Sequence, residues 1–296
     1  MILRSVFLIA VFLSVLTSCP AQSDAASRAM NEPVKPYRVI GNIYYVGASD
    51  VTSFLITTPN GHILLDSGFI ETVPQIKQNV AQLGFRLEDI KILLNSHAHY
   101  DHAGGFAELK RLTGAKLMTS ERDVALLAAG GKGDPNFGDR FLFEPVKPDR
   151  TLHDGDKVEL GGVTMIARMT PGHTKGCTSW TMKVKEDGKE YDVVFVGSTS
   201  APGYKLVNNP GYPEIVGDYE RTFRLLKSLK CDVFLAAHGQ FYGMLGKAQL
   251  VERGHTKNPF IDPAGYRGYL EDSEKSFRKL LASQSLAQAQ SPPSSP

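Results

Sequence analysis

Ser96-His97-Ala98-His99-Tyr100-Asp101-His102 brings four metal-binding side chains into six residues. The segment before it, Ile90-Lys91-Ile92-Leu93-Leu94, is apolar and reads as a buried strand. Ala103-Gly104-Gly105 follows, and residues 106–112 then have helical spacing with Gly114 as a stop. The motif therefore lies on a loop between a strand and a helix. In an extended chain His97, His99 and Asp101 point the same way. His102 breaks that alternation, so the chain turns there and can present a second group of ligands. Imidazoles with one carboxylate suit zinc, which they bind at about 2.0–2.2 Å. A catalytic zinc usually keeps three protein ligands and a water. Four donors on one loop therefore point to two zinc ions sharing it, about 3.5–4 Å apart.

The same arrangement recurs further along. The apolar run 163–169 leads into Thr170-Pro171-Gly172-His173-Thr174, and the run 232–236 delivers His238 before Gly239. Strand ends of a layered fold converge on one edge, so these histidines and the motif can share one site. His62, His153 and His255 sit in turns or after a helix, without that context, and are expected to be non-ligands. Asp66 ends the strand 62–66, which pairs as a hairpin with 53–57 across Pro59-Asn60-Gly61. A carboxylate aimed out of a core strand beside the motif is expected to orient the ligand loop. The stretch 132–148 has no periodicity and is long for a plain connection. Its Phe137, Phe141 and Phe143 are candidates for an apolar wall beside the site.

The chain has 296 residues, 42% of them hydrophobic, which suffices for one large layered domain. A net charge of +2 gives no reason to expect a nucleic-acid partner. Arg4 and the apolar run 6–16 read as a targeting segment, too short to span a bilayer. Residues 1–25 are thus expected to be a cleaved signal, with a periplasmic destination. Leu16-Thr17-Ser18-Cys19 leaves open a lipobox at Cys19, the one route to membrane contact. A single domain is expected over 26–282, with ordered structure from about Tyr37, and a disordered tail over 283–296, where apolar content is low. Cys177 and Cys231 remain in the mature chain and are expected to be buried thiols, although an oxidising compartment would permit pairing. A monomer is the default expectation.

His97-Ala98-His99-Tyr100-Asp101-His102, with His173 and His238 downstream, resembles the metallo-β-lactamase superfamily. The resemblance implies an α/β fold, a four-layer αββα sandwich with the metals at one edge. It implies that His97, His99 and His173 hold one zinc, and Asp101, His102 and His238 another. Within the superfamily the chain is most similar to subclass B3 β-lactamases, in residues 96–104, Gly172-His173-Thr174 and 198–204. Thioesterases and many lactonases of the superfamily carry a metal-bridging Asp in a Gly-Asp turn after a late strand; the matching turn here is Gly197-Ser198. Subclass B1 enzymes place a Cys there, also absent. The B3 likeness implies that Ser198 and Ser200 bind a substrate carboxylate and that Tyr204 donates to the lactam carbonyl. The expected activity is hydrolysis of penicillins, cephalosporins and carbapenems by zinc-activated water, with Asp101 orienting the nucleophile and no covalent intermediate. A lactonase or thioesterase on the same metals is the alternative, and a non-catalytic zinc-binding protein is a third reading.

Overall fold

The computed structural model describes residues 25–290. Twelve strands form two sheets. The first, in spatial order, runs β1 (Tyr37–Ile40), β2 (Ile43–Tyr45), β3 (Phe54–Thr58), β4 (Gly61–Leu65), β5 (Ile90–Leu94), β6 (Lys116–Ser120) and β7 (Arg150–Leu152). The second holds β8 (Lys157–Leu160), β9 (Val163–Met169), β10 (Thr178–Glu186), β11 (Lys189–Val196) and β12 (Val233–Ala236), again in spatial order.

Alternation along the central strands sends side chains into two different cores. Phe54, Ile56, Ile63, Leu65, Ile92 and Leu94 face the second sheet and pack with Trp180, Met182 and Phe195. Leu55, Leu64 and Leu93 face outward, against Ile76 and Val80 of α2 (Val73–Gln82) and Phe106 and Leu109 of α4 (Phe106–Thr113). On the far side α6 (Ile215–Ser228) and α8 (Pro263–Ala289) form the fourth layer, where Tyr219, Phe223 and Phe277 pack with Tyr204 and Tyr212. The four-layer αββα sandwich follows from this double-sided burial.

β4, β5, β6 and β7 are parallel, as are β11 and β12. Their carboxyl ends therefore lie on one edge, where open α/β sheets bind ligands. Cross-links between the sheets close that edge. Ser96 O accepts from Thr178 N at 2.7 Å, Ala237 O from Thr52 N at 3.0 Å, and Asn95 O from the indole of Trp180 at 3.2 Å. Short elements α3 (Tyr100–Ala103), α5 (Val124–Ala128) and α7 (Met244–Glu252) fill the connections.

Two expected boundaries move. Ahead of Tyr37 lies α1 (Ala25–Met30), tied to the fold: Met30 O accepts from Asp50 N and Val51 N, and Ser27 Oγ lies 2.9 Å from Tyr100 Oη. The expected signal segment otherwise lies outside the described residues. The tail expected from 283 is helical through Ala289, and residues 291–296 lie outside the described residues. Polar docking holds that helix end. Gln284 Oε1 accepts from Leu206 N at 2.7 Å and Val207 N at 3.2 Å, while its Nε2 donates to Tyr204 O at 2.7 Å. Low apolar content thus misreads a segment anchored by hydrogen bonds. Cys177 and Cys231 are free and buried, and burial pushes each thiol up to about 12. Among the described residues no helix is long and apolar enough to cross a membrane.

Candidate metal centre

β5 ends at Leu94, and the loop that follows carries His97 and His99; the first turn of α3 then carries Asp101 and His102. His173 arrives from the end of β9 through a turn in which Gly172 has φ 136° and lies against the Tyr219 ring, where a Cβ would meet ring atoms at 2.8 Å. β12 delivers His238, locked by a bridge to Val51. All six expected ligands meet at the closed edge. His97, His99 and His173 are buried and offer ligand atoms within 4.8 Å of one another. In the other group His102 Nε2 lies 3.2 Å from His238 Nε2 and 3.4 Å from Asp101 Oδ2, and His238 Nε2 lies 3.6 Å from Asp101 Oδ2. His97 is also within 4.8 Å of Asp101 and His102, and so stands between the two groups.

Partners behind the rings set which nitrogen faces inward. His173 Nδ1 donates to Ser200 O at 2.8 Å, leaving Nε2 with a lone pair. His99 Nε2 is 3.2 Å from the Asp134 carboxylate, so its Nδ1 carries the lone pair. These two lone-pair nitrogens face each other at 3.1 Å. That approach is repulsive between bare acceptors and fits a cation held by both. The tetrahedral edge expected from zinc–nitrogen bonds of 2.0–2.1 Å is about 3.3 Å. His238 repeats the pattern: Nδ1 bonds Asp50 Oδ2 at 2.8 Å and Nε2 faces His102. The donor set, five imidazoles and one carboxylate, fits zinc.

The electrostatics agree. Burial, with the neighbouring imidazoles, holds His97 and His173 well below the usual histidine range, so both are neutral donors. Burial would raise Asp101, but His102 beside it outweighs this and holds the carboxyl far below its ordinary value. Burial would lower His102, yet Asp101 and then Asp66 raise it to about 10. This corner therefore favours positive charge, the requirement a divalent cation meets.

Asp66, in a left-handed conformation with φ 61°, accepts from Ser96 N at 2.7 Å and places Oδ2 3.4 Å from His102 Nδ1. The second contact is ionic proximity rather than a formed hydrogen bond, and His102 Nδ1 has no hydrogen-bond partner among the described residues. Three other carboxylates escaped the sequence reading. Asp50 orients His238, and Asp134 orients His99. Asp123, fully buried, accepts from Ala98 N, Thr174 Oγ1 and Gly176 N, each at 2.9 Å, and so ties the motif loop to the His173 loop. Asp123 and Asp134 sit in polar stretches resembling ordinary turns, and nothing local distinguishes them.

The expected substrate residues divide. Ser198 is buried, with its hydroxyl 3.1 Å from that of half-buried Ser200. Phe137 is half-buried with its ring 5.1 Å from that of His99. Phe141 stacks on Tyr100 at 4.6 Å, whereas Phe143 turns away into the outer helical core. Tyr204 is 1% exposed, and its hydroxyl lies 3.2 Å from His173 Nδ1, on the ring edge turned away from the cluster. Gln284 pins its backbone there. His62, His153 and His255 remain outside the cluster; His62 packs edge-on against Phe85, and His255 bonds Lys257 O.

Because Asp134 rides on the 132–148 loop, the loop that carries Phe137 also orients a ligand. Asp134→Ala is expected to weaken zinc binding about 10–100-fold, measured by competition with a chromophoric chelator. Unchanged affinity would show that His99 needs no such partner.

The family model of the metallo-β-lactamase superfamily matches residues 46–238. Among solved structures, the native FEZ-1 metallo-β-lactamase of Legionella gormanii is 44% identical, covering 86% of this chain and 98% of that one, with a TM-score of 0.85. LRA-12, a class B3 di-zinc metallo-β-lactamase from an Alaskan soil metagenome, is 37% identical over 88% of this chain and 98% of that one, with a TM-score of 0.80. A probable metallo-hydrolase of Burkholderia pseudomallei is 33% identical over 129 residues, and the match spans 42% of that curated relative. With six ligands on the strand ends of an αββα sandwich and a family match across both sheets, the chain belongs to the metallo-β-lactamase superfamily, and its structural likeness is to the subclass B3 enzymes.

Proposed function

We infer that this protein is a zinc-dependent hydrolase of the β-lactam amide, of the subclass B3 kind. The observation that carries the reading is the end of β11. Where a bridging carboxylate would sit, Ser198 offers a hydroxyl paired with that of Ser200 at 3.1 Å, beside two intact ligand groups. A pair of hydroxyls suits a substrate carboxylate, which every β-lactam antibiotic of the expected classes carries.

His97, His99 and His173 would hold one zinc, and Asp101, His102 and His238 a second. Zinc bound there supplies water of lowered pKa and polarises the lactam carbonyl. Asp101, kept ionised by His102, accepts a hydrogen bond from the attacking water and aims it at the carbonyl carbon. The Ser200 hydroxyl donates to the substrate carboxylate, and Ser198 fixes its rotamer. Phe137 supplies an apolar wall above His99. No covalent intermediate forms on Ser200: the nearest base, His173 Nδ1, already donates its proton to Ser200 O and cannot accept another. Export to the periplasm as a soluble monomer belongs to the same proposal, read by cell fractionation and solution mass.

The test is a substrate panel on the zinc-loaded protein: a chromogenic cephalosporin, a carbapenem, a lactone and a glutathione thioester. The lactams are expected to turn over with kcat/KM at least about tenfold above the others, a difference of about 1.4 kcal/mol in transition-state binding. Preference for the lactone or thioester would overturn the reading.

A further inference from the structure

A groove of about 580 Å³ opens beside Ser200, between residues 199–202, the turn after His238, and α8. Both sides of it touch the metal centre. Ser200 Oγ lies 3.4 Å from His173 Nδ1, and the Phe241 ring lies 5.2 Å from that of His238. Gln240, on the same side as Phe241, is held by the Asp50 carboxylate that fixes His238. The groove therefore begins where the two ligand groups end. Its lining includes two rings, Phe241 and Tyr269, with centroids 5.1 Å apart and planes at 34°. The Tyr269 hydroxyl bonds Thr199 Oγ1 at 2.7 Å, which holds that ring in place. One charged side chain lines the groove, that of Asp272 on the exposed face of α8; it has no ion-pair partner among the described residues.

We propose that this groove receives the ring substituent next to the lactam's carboxylate, and that it selects a flat cationic substituent such as a pyridinium. The proposal rests on the β-lactam reading above. With the substrate carboxylate on Ser200, the substituent on the adjacent ring carbon of a cephalosporin is directed past Ser200 into the groove. A flat cation there packs on Phe241 and Tyr269, whose ring faces attract positive charge. The same cation meets Asp272, and no cationic side chain of the lining opposes it. A neutral substituent gains only the packing, and an anionic one is repelled.

The experiment compares two cephalosporins with the same acyl side chain, one carrying pyridiniummethyl and the other acetoxymethyl beside the carboxylate. Each is assayed with the zinc-loaded wild type, Asp272→Asn and Asp272→Lys. The ratio of kcat/KM, cationic over neutral, is expected to fall about two- to fivefold in Asp272→Asn and further in Asp272→Lys, through KM. The neutral compound is expected to respond less than the cationic one to Asp272→Asn, and added salt to bring the wild-type ratio toward that of the variant. A ratio unchanged in both variants overturns the proposal. So does an equal response from a cephalosporin carrying its cation on the acyl side, which would indicate a diffuse field. Failure of every lactam, with a lactone or thioester hydrolysed instead, overturns the β-lactam reading and this proposal with it, and is distinct from an unchanged ratio.

Discussion

Asp101→Ala is expected to lower lactam turnover by about 10²–10⁴-fold and to reduce the tightly held zinc per chain. Asp101 contributes twice. Its Oδ2 completes the group with His102 and His238, at 3.4 and 3.6 Å. It is also the one carboxylate among the six expected ligands, held ionised against burial by His102. Without it, two imidazoles are left in that group, with no negative charge to hold a divalent ion. Asp101→Asn keeps the shape but removes the charge and is expected to fall nearly as far. A strong chelator is expected to abolish turnover of the wild type, and zinc to restore it. Zinc content by elemental analysis, measured beside kcat, separates a lost ligand from a misfolded chain. Wild-type zinc content and near-wild-type turnover in Asp101→Ala would remove Asp101 from the site.

Asp123→Ala is expected to destabilise the fold by about 3–5 kcal/mol, although Asp123 is not among the expected ligands. Its buried carboxylate accepts from three donors: Ala98 N from the motif loop, and Thr174 Oγ1 and Gly176 N from the His173 loop. Truncation leaves all three without an acceptor, and each unsatisfied buried group costs about 1–3 kcal/mol. Burial raises the carboxyl pKa above the ordinary carboxylate value. Gly176 exists for this contact: a Cβ there would meet Asp123 Cγ and N at 2.5 Å. Asparagine cannot substitute, since its amide NH₂ would face a donor where Asp123 presents an acceptor. Urea denaturation reads the loss directly as a lower midpoint at unchanged slope. A loss below about 1 kcal/mol would show that water enters and satisfies the three donors.

The ligand set was legible because each member follows a recognisable apolar strand. Burial on both faces makes the carboxyl-terminal halves of β4, β5 and β11 and the whole of β12 apolar, over residues 63–65, 92–94, 193–196 and 233–236. Parallel pairing then obliges their ends to meet at one edge. Local spacing thus carried the reading from Ser96-His97-Ala98-His99-Tyr100-Asp101-His102 to the sandwich. The same logic does not reach Asp50, Asp123 and Asp134. Each is one polar residue among several in a loop, and its importance comes from a partner 25 to 188 positions away.

From its sequence alone this chain therefore determined the layered fold, the six side chains that meet at one sheet edge and the serine at the end of β11, because all are set by residue type and strand period. Tertiary structure alone decided which imidazole nitrogen faces inward, since that depends on the oxygen each ring finds behind it. It also decided that the Tyr204 hydroxyl lies at His173 Nδ1, and that helix α8 extends to Ala289. Both follow from Gln284, whose amide meets the backbone of residues 204–207 only once the chain has folded. Apolar periodicity is a local signal, whereas a hydrogen bond between distant loops leaves no trace in either one.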